Sequence, residues 1–272
     1  MHIELRYFSG TGNSYKIIDT CRPVFLKTGN NAALSSITDK SRINEDADVI
    51  GFCFPVYAFG IPRICRKYLS DLPVFKKPVT AFVIITAGDV KEAGFSVRES
   101  TRILQMKGLH VSYTKVIQMP GNWTVAMNPP PKEEAMSMID DGVTEAKGAV
   151  QDILHGVPHH HAFNYPPAYS KLRFYKDYYL FKWAGISSLM REFRTDETCD
   201  ACGLCEKICP TASICIVGER PKWSKTCEQC MRCVNYCPKQ AIFQQKEGSI
   251  KGKNIYYEPS FKPLITHERK SL

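Results

Sequence analysis

The chain has 272 residues, room for about two domains at ~150 residues each, and its 44% hydrophobic and 23% charged content is ordinary for a globular protein with a sizeable core. The formal net charge of +9 would suit a polyanionic partner, yet the basic residues are dispersed and no groove-binding motif appears, so nucleic acid is not expected. No apolar run approaches the ~18 to 20 residues that cross a bilayer, and "MHIELRYF" lacks the charged start and apolar stretch of a signal peptide; a cytoplasmic protein without a transmembrane segment is expected.

The first 150 or so residues alternate between strand and helix patterns. Strands are predicted at "IELRYF", "AALSSI", "DVIGFCFPV", "VTAFVIIT" and "HVSYTKVI", with helical patterns between them at "NSYKIIDTCRPVFLK", "IPRICRKYLSDL" and "KEAGFSVRESTRILQMKG". This alternation predicts an α/β fold, a five-stranded parallel sheet wound on both faces in the order 2-1-3-4-5, with its ligand site beyond the carboxyl ends of the strands beside strand 1.

The loop after the first strand reads "FSGTGNSY". It lacks the lysine of a nucleotide triphosphate loop, and Tyr15 stands where a dinucleotide fingerprint needs its third glycine. Ser9, Thr11, Gly12, Asn13 and Ser14 remain, at the entrance to a helix, where hydroxyls, backbone N–H groups and the helix dipole can satisfy a lone terminal phosphate. A plain strand-to-helix turn with an N-cap serine is the other reading. The loop resembles the [ST]-x-T-G-N-[ST] phosphate loop of flavodoxins at every fixed position from Ser9 to Ser14, and that resemblance implies FMN.

Two later loops end strands at the same sheet edge. "FPVYAFGIP" offers Pro55, Val56, Tyr57, Ala58, Phe59 and Gly60, and "TAGDVKEAG" offers Thr86, Ala87 and Gly88. Aromatic and backbone groups there can stack on a flavin ring and bond its polar edge, with Tyr57 and Phe59 as the stacking candidates, although each aromatic taken singly also suits packing. After the fifth strand, "MPGNW" adds Asn122 and Trp123.

"GVPHHHAFNYPPAYS" then breaks regular structure, and its three histidines read as a solvated loop. "KLRFYKDYYLFKWAGISSLMREF" follows with aromatic residues at helical spacing, expected to pack on the modules; the other reading is peripheral contact with a membrane surface or a partner.

Nine of the twelve cysteines fall between Cys199 and Cys237, which points to metal or redox chemistry. "CDACGLCEKICP" and "CEQCMRCVNYCP" are two copies of C-x2-C-x2-C-x3-C-P, the spacing by which bacterial ferredoxins hold two [4Fe-4S] clusters with the fourth cysteine of each run crossing to the other cluster. On that pattern Cys199, Cys202, Cys205 and Cys237 bind one cluster, and Cys227, Cys230, Cys233 and Cys209 the other. A pair of four-thiolate zinc sites is the competing reading, although zinc rarely uses three cysteines at successive x2 spacing with a trailing C-P. Cys215, Cys21, Cys53 and Cys65 are expected to be small apolar packing residues.

"SGTGNS", "PVYAFGIP", "TAGD" and "MPGNW" ahead of the tandem cysteine runs make nearly the whole chain similar to flavodoxin-ferredoxin fusion proteins. The resemblance implies a flavodoxin-like FMN-binding domain over 1–155, a linker with an aromatic helix over 156–195, a small α+β ferredoxin-like domain over 196–246 and a tail over 247–272 packing on the body. It implies an electron carrier relaying between two [4Fe-4S] clusters and FMN, and the positive formal charge suits docking of a redox protein such as an acidic ferredoxin or a reductase. The alternatives are an FMN-dependent reductase of a small molecule such as a quinone or nitro compound, and a sensor whose clusters report oxygen or iron.

Overall fold

The computed structural model describes residues 1–39, 41–93, 95–125, 127–162, 171–184, 193–244 and 252–265. Largely apolar runs become the central strands β3 (Val49–Pro55) and β4 (Val79–Ala87), and β1 (His2–Tyr7) joins them with Glu4 and Arg6 buried as a pair; all three are buried along nearly their whole length. Strands covered on both faces must be continuously apolar, because neither face meets water. β2 (Asn31–Ser36) and β5 (Leu109–Gln118) flank them, and every pairing is parallel.

The strand order is 2-1-3-4-5 with a sixth, two-residue strand, β6 (His159–His160), beside β5. The sheet therefore has six strands where five were expected, and two of the three histidines belong to it rather than to a free loop. The His159 ring donates to the carbonyl of Thr114 across 2.7 Å, and the His161 amide bonds the Thr114 carbonyl at 3.2 Å and its hydroxyl at 2.9 Å. These bonds cover part of the open edge of β5.

Alternation along β3 shows the two-layer winding. Phe52 and Phe54 enter a core with Leu69 and Leu104 from α2 (Arg63–Asp71) and α3 (Phe95–Met106), whereas Cys53 enters the opposite core. That second core includes Ile17 and Phe25 of α1 (Asn13–Lys27) and Ala146 and Val150 of α4 (Lys132–Leu154). α4 was not named among the helical patterns of the sequence. Its buried face is Ala135, Gly142, Ala146, Ala149 and Val150, small side chains that allow close packing but give a weak periodic signal.

α5 (Lys171–Ala184) lies in the aromatic segment, and residues 163–170 and 185–192 of the stretches expected to be linker and helix lie outside the described residues. Tyr175 and Tyr178 pack on Phe95 of α3 with ring centroids 5.1 and 4.1 Å away. Lys182 pairs with Glu99 at 3.2 Å, tying the helix to the sheet module.

The cysteine-rich segment pairs β7 (Phe193–Thr195) with β10 (Ile242–Gln244) and β8 (Ile214–Val217) with β9 (Arg220–Trp223), all antiparallel. Two one-turn helices, α6 (Leu204–Lys207) and α7 (Arg232–Asn235), occupy matching places in the two cysteine runs. No helix among the described residues is long and apolar enough to cross a membrane. Cys21, Cys53 and Cys65 are fully buried, as packing residues should be, whereas Cys215 is exposed on β8 and packs against nothing in the core. It sits on the outward side of a two-stranded hairpin, whose pleat turns alternate residues to solvent.

Candidate functional site

The loop from Ser9 to Ser14 stands at the carboxyl end of β1, where the strand order reverses, and leads straight into α1. Gly12 adopts φ 116°, a left-handed turn that glycine takes at little cost, and its amide bonds the Ser9 hydroxyl at 2.9 Å. Ser14 bonds Thr86 at 2.7 Å, Asn13 donates to the Pro120 carbonyl at 2.8 Å, and Asn122 donates to the Thr11 hydroxyl. The loops after β1, β4 and β5 therefore meet at one point. β3 joins them through the Val56 amide, bonded to the Thr86 carbonyl at 2.9 Å, while Gly88 lies beside Gly121.

The aromatic candidates separate. Tyr57 turns inward, packs edge-on against Phe8 and has its phenol pKa raised far above the usual range, first by burial and then by its neighbours Cys230 and Cys65. Its strand tip closes by an antiparallel bridge to Gly60, with Ala58 and Phe59 both left-handed at φ 49° and 67°. Two non-glycine residues held there cost of order 1 kcal/mol or more each, strain that concentrates at functional loops. Phe59 instead joins the cluster of Phe95 and Tyr178, away from Tyr57. Trp123 donates to the Gln229 side chain at 2.9 Å, so it meets the cysteine module.

Four residues remote in sequence complete this region. Arg232, almost fully buried, donates to the carbonyls of Ser9 at 2.6 Å, Gly10 at 3.0 Å and Ile208 at 2.9 Å. Tyr256 donates its hydroxyl to Asn13 at 2.6 Å, the Glu258 amide bonds the Thr11 carbonyl at 2.8 Å, and Phe261 lies over Tyr15 with ring centroids 5.4 Å apart. Lys16, in the first turn of α1, stands 3.7 Å from the Glu258 carboxylate. Nothing local in the sequence marks the contacts these residues make with the Ser9–Ser14 loop and the start of α1, because each of those joins segments more than 200 residues apart.

The hydroxyls, the amide-rich turn and the helix N-terminus form a donor set that fits a single phosphate. The loop is nonetheless closed in this arrangement. A Cβ placed on Gly10 would come within 2.3 Å of the Cys230 carbonyl oxygen, and one on Gly12 within 2.4 Å of the Glu258 Cβ.

The two cysteine runs fold alike. Ala201, Gly203 and Ala212 are left-handed, and so are Gln229, Met231 and Gln240, their counterparts one repeat further on. Such turns aim amides inward: Gln229 donates to the Cys227 sulfur at 3.4 Å, Ser213 to Cys209 at 3.2 Å and Ala241 to Cys237 at 3.4 Å. Cys199, Cys202, Cys205 and Cys237 line one cavity, and Cys209, Cys227, Cys230 and Cys233 line another. Burial pushes the Cys205 and Cys227 thiols up to about 12 and Cys230 to about 11.

Among the described residues no group of three or more His, Cys, Asp or Glu is arranged to hold a metal ion. The thiols line two cavities, with the amides of Gln229, Ser213 and Ala241 turned toward three of the sulfurs, a donor set whose chemistry fits a thiolate-held metal group.

The second cavity's loop is bound to the sheet module. Glu228 accepts from the Arg63 amide at 3.0 Å, at the N-terminus of α2, and pairs with the Arg63 side chain at 3.4 Å. Arg63 also donates to the Cys227 carbonyl at 2.6 Å.

The fold and site together define a doubly wound, flavodoxin-like α/β protein with a cysteine-rich module seated on its switch point. The chain is similar over part of its length to solved flavodoxins. An archaeal flavodoxin aligns at 12% identity over 56% of this chain and 99% of its own, with a TM-score of 0.37. Flavodoxin 1 of Bacillus cereus aligns at 17% over 54% and 97%, with 0.38, and the two-electron reduced flavodoxin of Megasphaera elsdenii at 16% over 53% and 98%, with 0.39. The fold assignment rests on the strand order itself. No family model and no curated protein matches the sequence.

Proposed function

We propose that the protein is an electron-transfer flavo-iron-sulfur protein, holding two [4Fe-4S] clusters in the cysteine module and FMN at the Ser9–Ser14 loop. The observation that carries this reading is the crossed sorting of the eight cysteines, three from one run with the last of the other around each cavity. That sorting is the one by which tandem clusters are held. When bound, the clusters supply one-electron steps and FMN one- or two-electron steps.

The chain's own residues order the two cysteine sets. Cys202 is exposed, so the Cys199 set faces solvent, whereas Cys209 and Cys227 are buried and Cys230 lies against Gly10. A carrier arriving from solvent meets the outer set, and the inner set touches the phosphate loop. Ser9, Thr11, Asn13 and Ser14 would hold the FMN phosphate, and the turns at Pro55–Gly60 and Thr86–Gly88 would border its ring. A chain of formal charge +9 suits an acidic one-electron carrier, whose binding should weaken as salt rises; a flat salt response removes that partner.

Anaerobic purification followed by iron, sulfide and flavin analysis tests the whole reading. Roughly eight iron and eight sulfide per chain are expected, four of each per cluster. A colourless protein, or one carrying only zinc, overturns it.

A further inference from the structure

The segment from Tyr256 to Phe261 lies on the loop assigned above to a phosphate. It has no helix or strand, and it reaches the loop through a few discrete contacts. The Glu258 amide bonds the Thr11 carbonyl at 2.8 Å, the Tyr256 hydroxyl bonds Asn13 at 2.6 Å, and the Tyr236 hydroxyl holds the Phe261 carbonyl at 3.0 Å. Phe261 fills the space beside Tyr7 and Tyr15 and lies 5.5 Å from the Arg232 guanidinium. The Glu258 carboxylate, almost wholly buried, is steadied by the Ser260 hydroxyl at 2.8 Å and faces Lys16 at 3.7 Å.

The electrostatics assign this carboxylate a role. α1 has no acidic residue in its own first turn, although a helix N-terminus favours negative charge. Glu258 brings that charge from the tail, to a point beside Lys16. A phosphate on the Ser9–Ser14 loop would draw on the same dipole and the same lysine. Two anions side by side in a site closed to water repel strongly, so carboxylate and phosphate compete. Sterics agree, since Gly12 has the Glu258 and Phe261 Cβ atoms so close that its own Cβ would lie 2.4 and 2.9 Å from them.

We propose that Tyr256–Phe261 is a displaceable cover of the phosphate loop, with Glu258 occupying the anion's electrostatic place until a phosphate-bearing cofactor drives the segment out. This rests on the proposal that the loop takes FMN. The strap has no helix or strand and is fixed by side-chain and backbone contacts at Thr11, Asn13, Asn235 and Tyr236 and by the buried Phe261 ring, so it can open as a unit once those contacts are replaced while the sheet beneath stays intact. Opening exposes the Thr11 carbonyl and Asn13 and frees Lys16 for the incoming charge. Arg232, anchored on Ser9, Gly10 and Ile208, stays in place.

The test uses the whole 272-residue chain and FMN itself. Flavin fluorescence quenching should give at least a tenfold lower Kd for the E258A/F261A double variant than for the unaltered protein. Independently of any variant, hydrogen exchange at the Glu258 amide of the unaltered protein should accelerate on adding FMN. Equal affinities, with that amide equally protected with and without FMN, overturn the cover while leaving FMN binding intact. FMN bound by neither protein overturns both the cover and the flavin site.

Discussion

Arg232 donates from its Nη2 to the carbonyl of Ser9 across 2.6 Å, joining the second cysteine run to the Ser9–Ser14 loop after β1 through an arginine that is 3% exposed. The same side chain also serves the carbonyls of Gly10 and Ile208. R232M keeps a stem of similar length but removes the guanidinium, leaving three buried carbonyls without their donor. Each bond to a charged group is worth about 1.5–3 kcal/mol, so the variant should lose about 3 kcal/mol or more in chemical denaturation. A loss below 1 kcal/mol would show that Arg232 does not clamp the modules.

Gly10 and Gly148 should respond oppositely to alanine. At Gly10 the new Cβ meets backbone, the Cys230 carbonyl oxygen at 2.3 Å, so the cysteine loop must shift; overpacking of this kind costs about 1–3 kcal/mol. Gly148 lies exposed in the interior of α4 with nothing within 4 Å, and G148A should stabilise by about 0.5–1 kcal/mol. Thermal melting of both variants checks the pair, and similar shifts would refute the close approach.

If the cavities hold clusters in crossed sets, C209S should release the cluster of the run that begins at Cys227 and spare the one that begins at Cys199. C237S should do the reverse. Iron should fall to about half in each, with distinct reduced-state paramagnetic spectra. A residual spectrum of C209S that matches that of C199S rather than that of C227S would mean that each run keeps its own fourth cysteine.

Thiol exposure should rank reactivity in the metal-free chain. Cys202 and Cys215 are exposed, whereas burial raises Cys227 to about 12 and keeps its thiol protonated at neutral pH. Alkylation followed by mass spectrometry should label Cys202 and Cys215 first, and C215S should leave iron content unchanged because that residue lines neither cavity. Iron loss in C215S would make it a ligand.

The edge strand β6 should loosen in acid. Burial lowers the His161 pKa below its ordinary 6.5, and His159 and Lys115 lower it further. A detached segment would therefore bind a proton more readily than the docked one, so stability present above about pH 6.5 is lost as pH falls through that value. Hydrogen exchange at the His161 amide, corrected for its intrinsic pH dependence, should quicken below pH 6.5, and H161N should abolish the change.

Local spacing determined much of this protein. The run "NSYKIIDTCRPVFLK" coincides with α1, and the apolar stretches around Phe52 and Ile84 coincide with β3 and β4, because each pattern carries its own burial requirement. The cysteine repeat, read on the tandem-cluster pattern, predicted two sets of four, and the same eight residues line two cavities. Tertiary structure alone decided the rest. α4 hides behind an alanine and glycine face, β6 exists only because β5 offers an edge, and Phe59 left the crevice for Phe95. The closure of the Ser9–Ser14 loop by Arg232 and Glu258 joins residues more than 200 positions apart, and such contacts depend on how two separately patterned modules dock rather than on any periodicity within either.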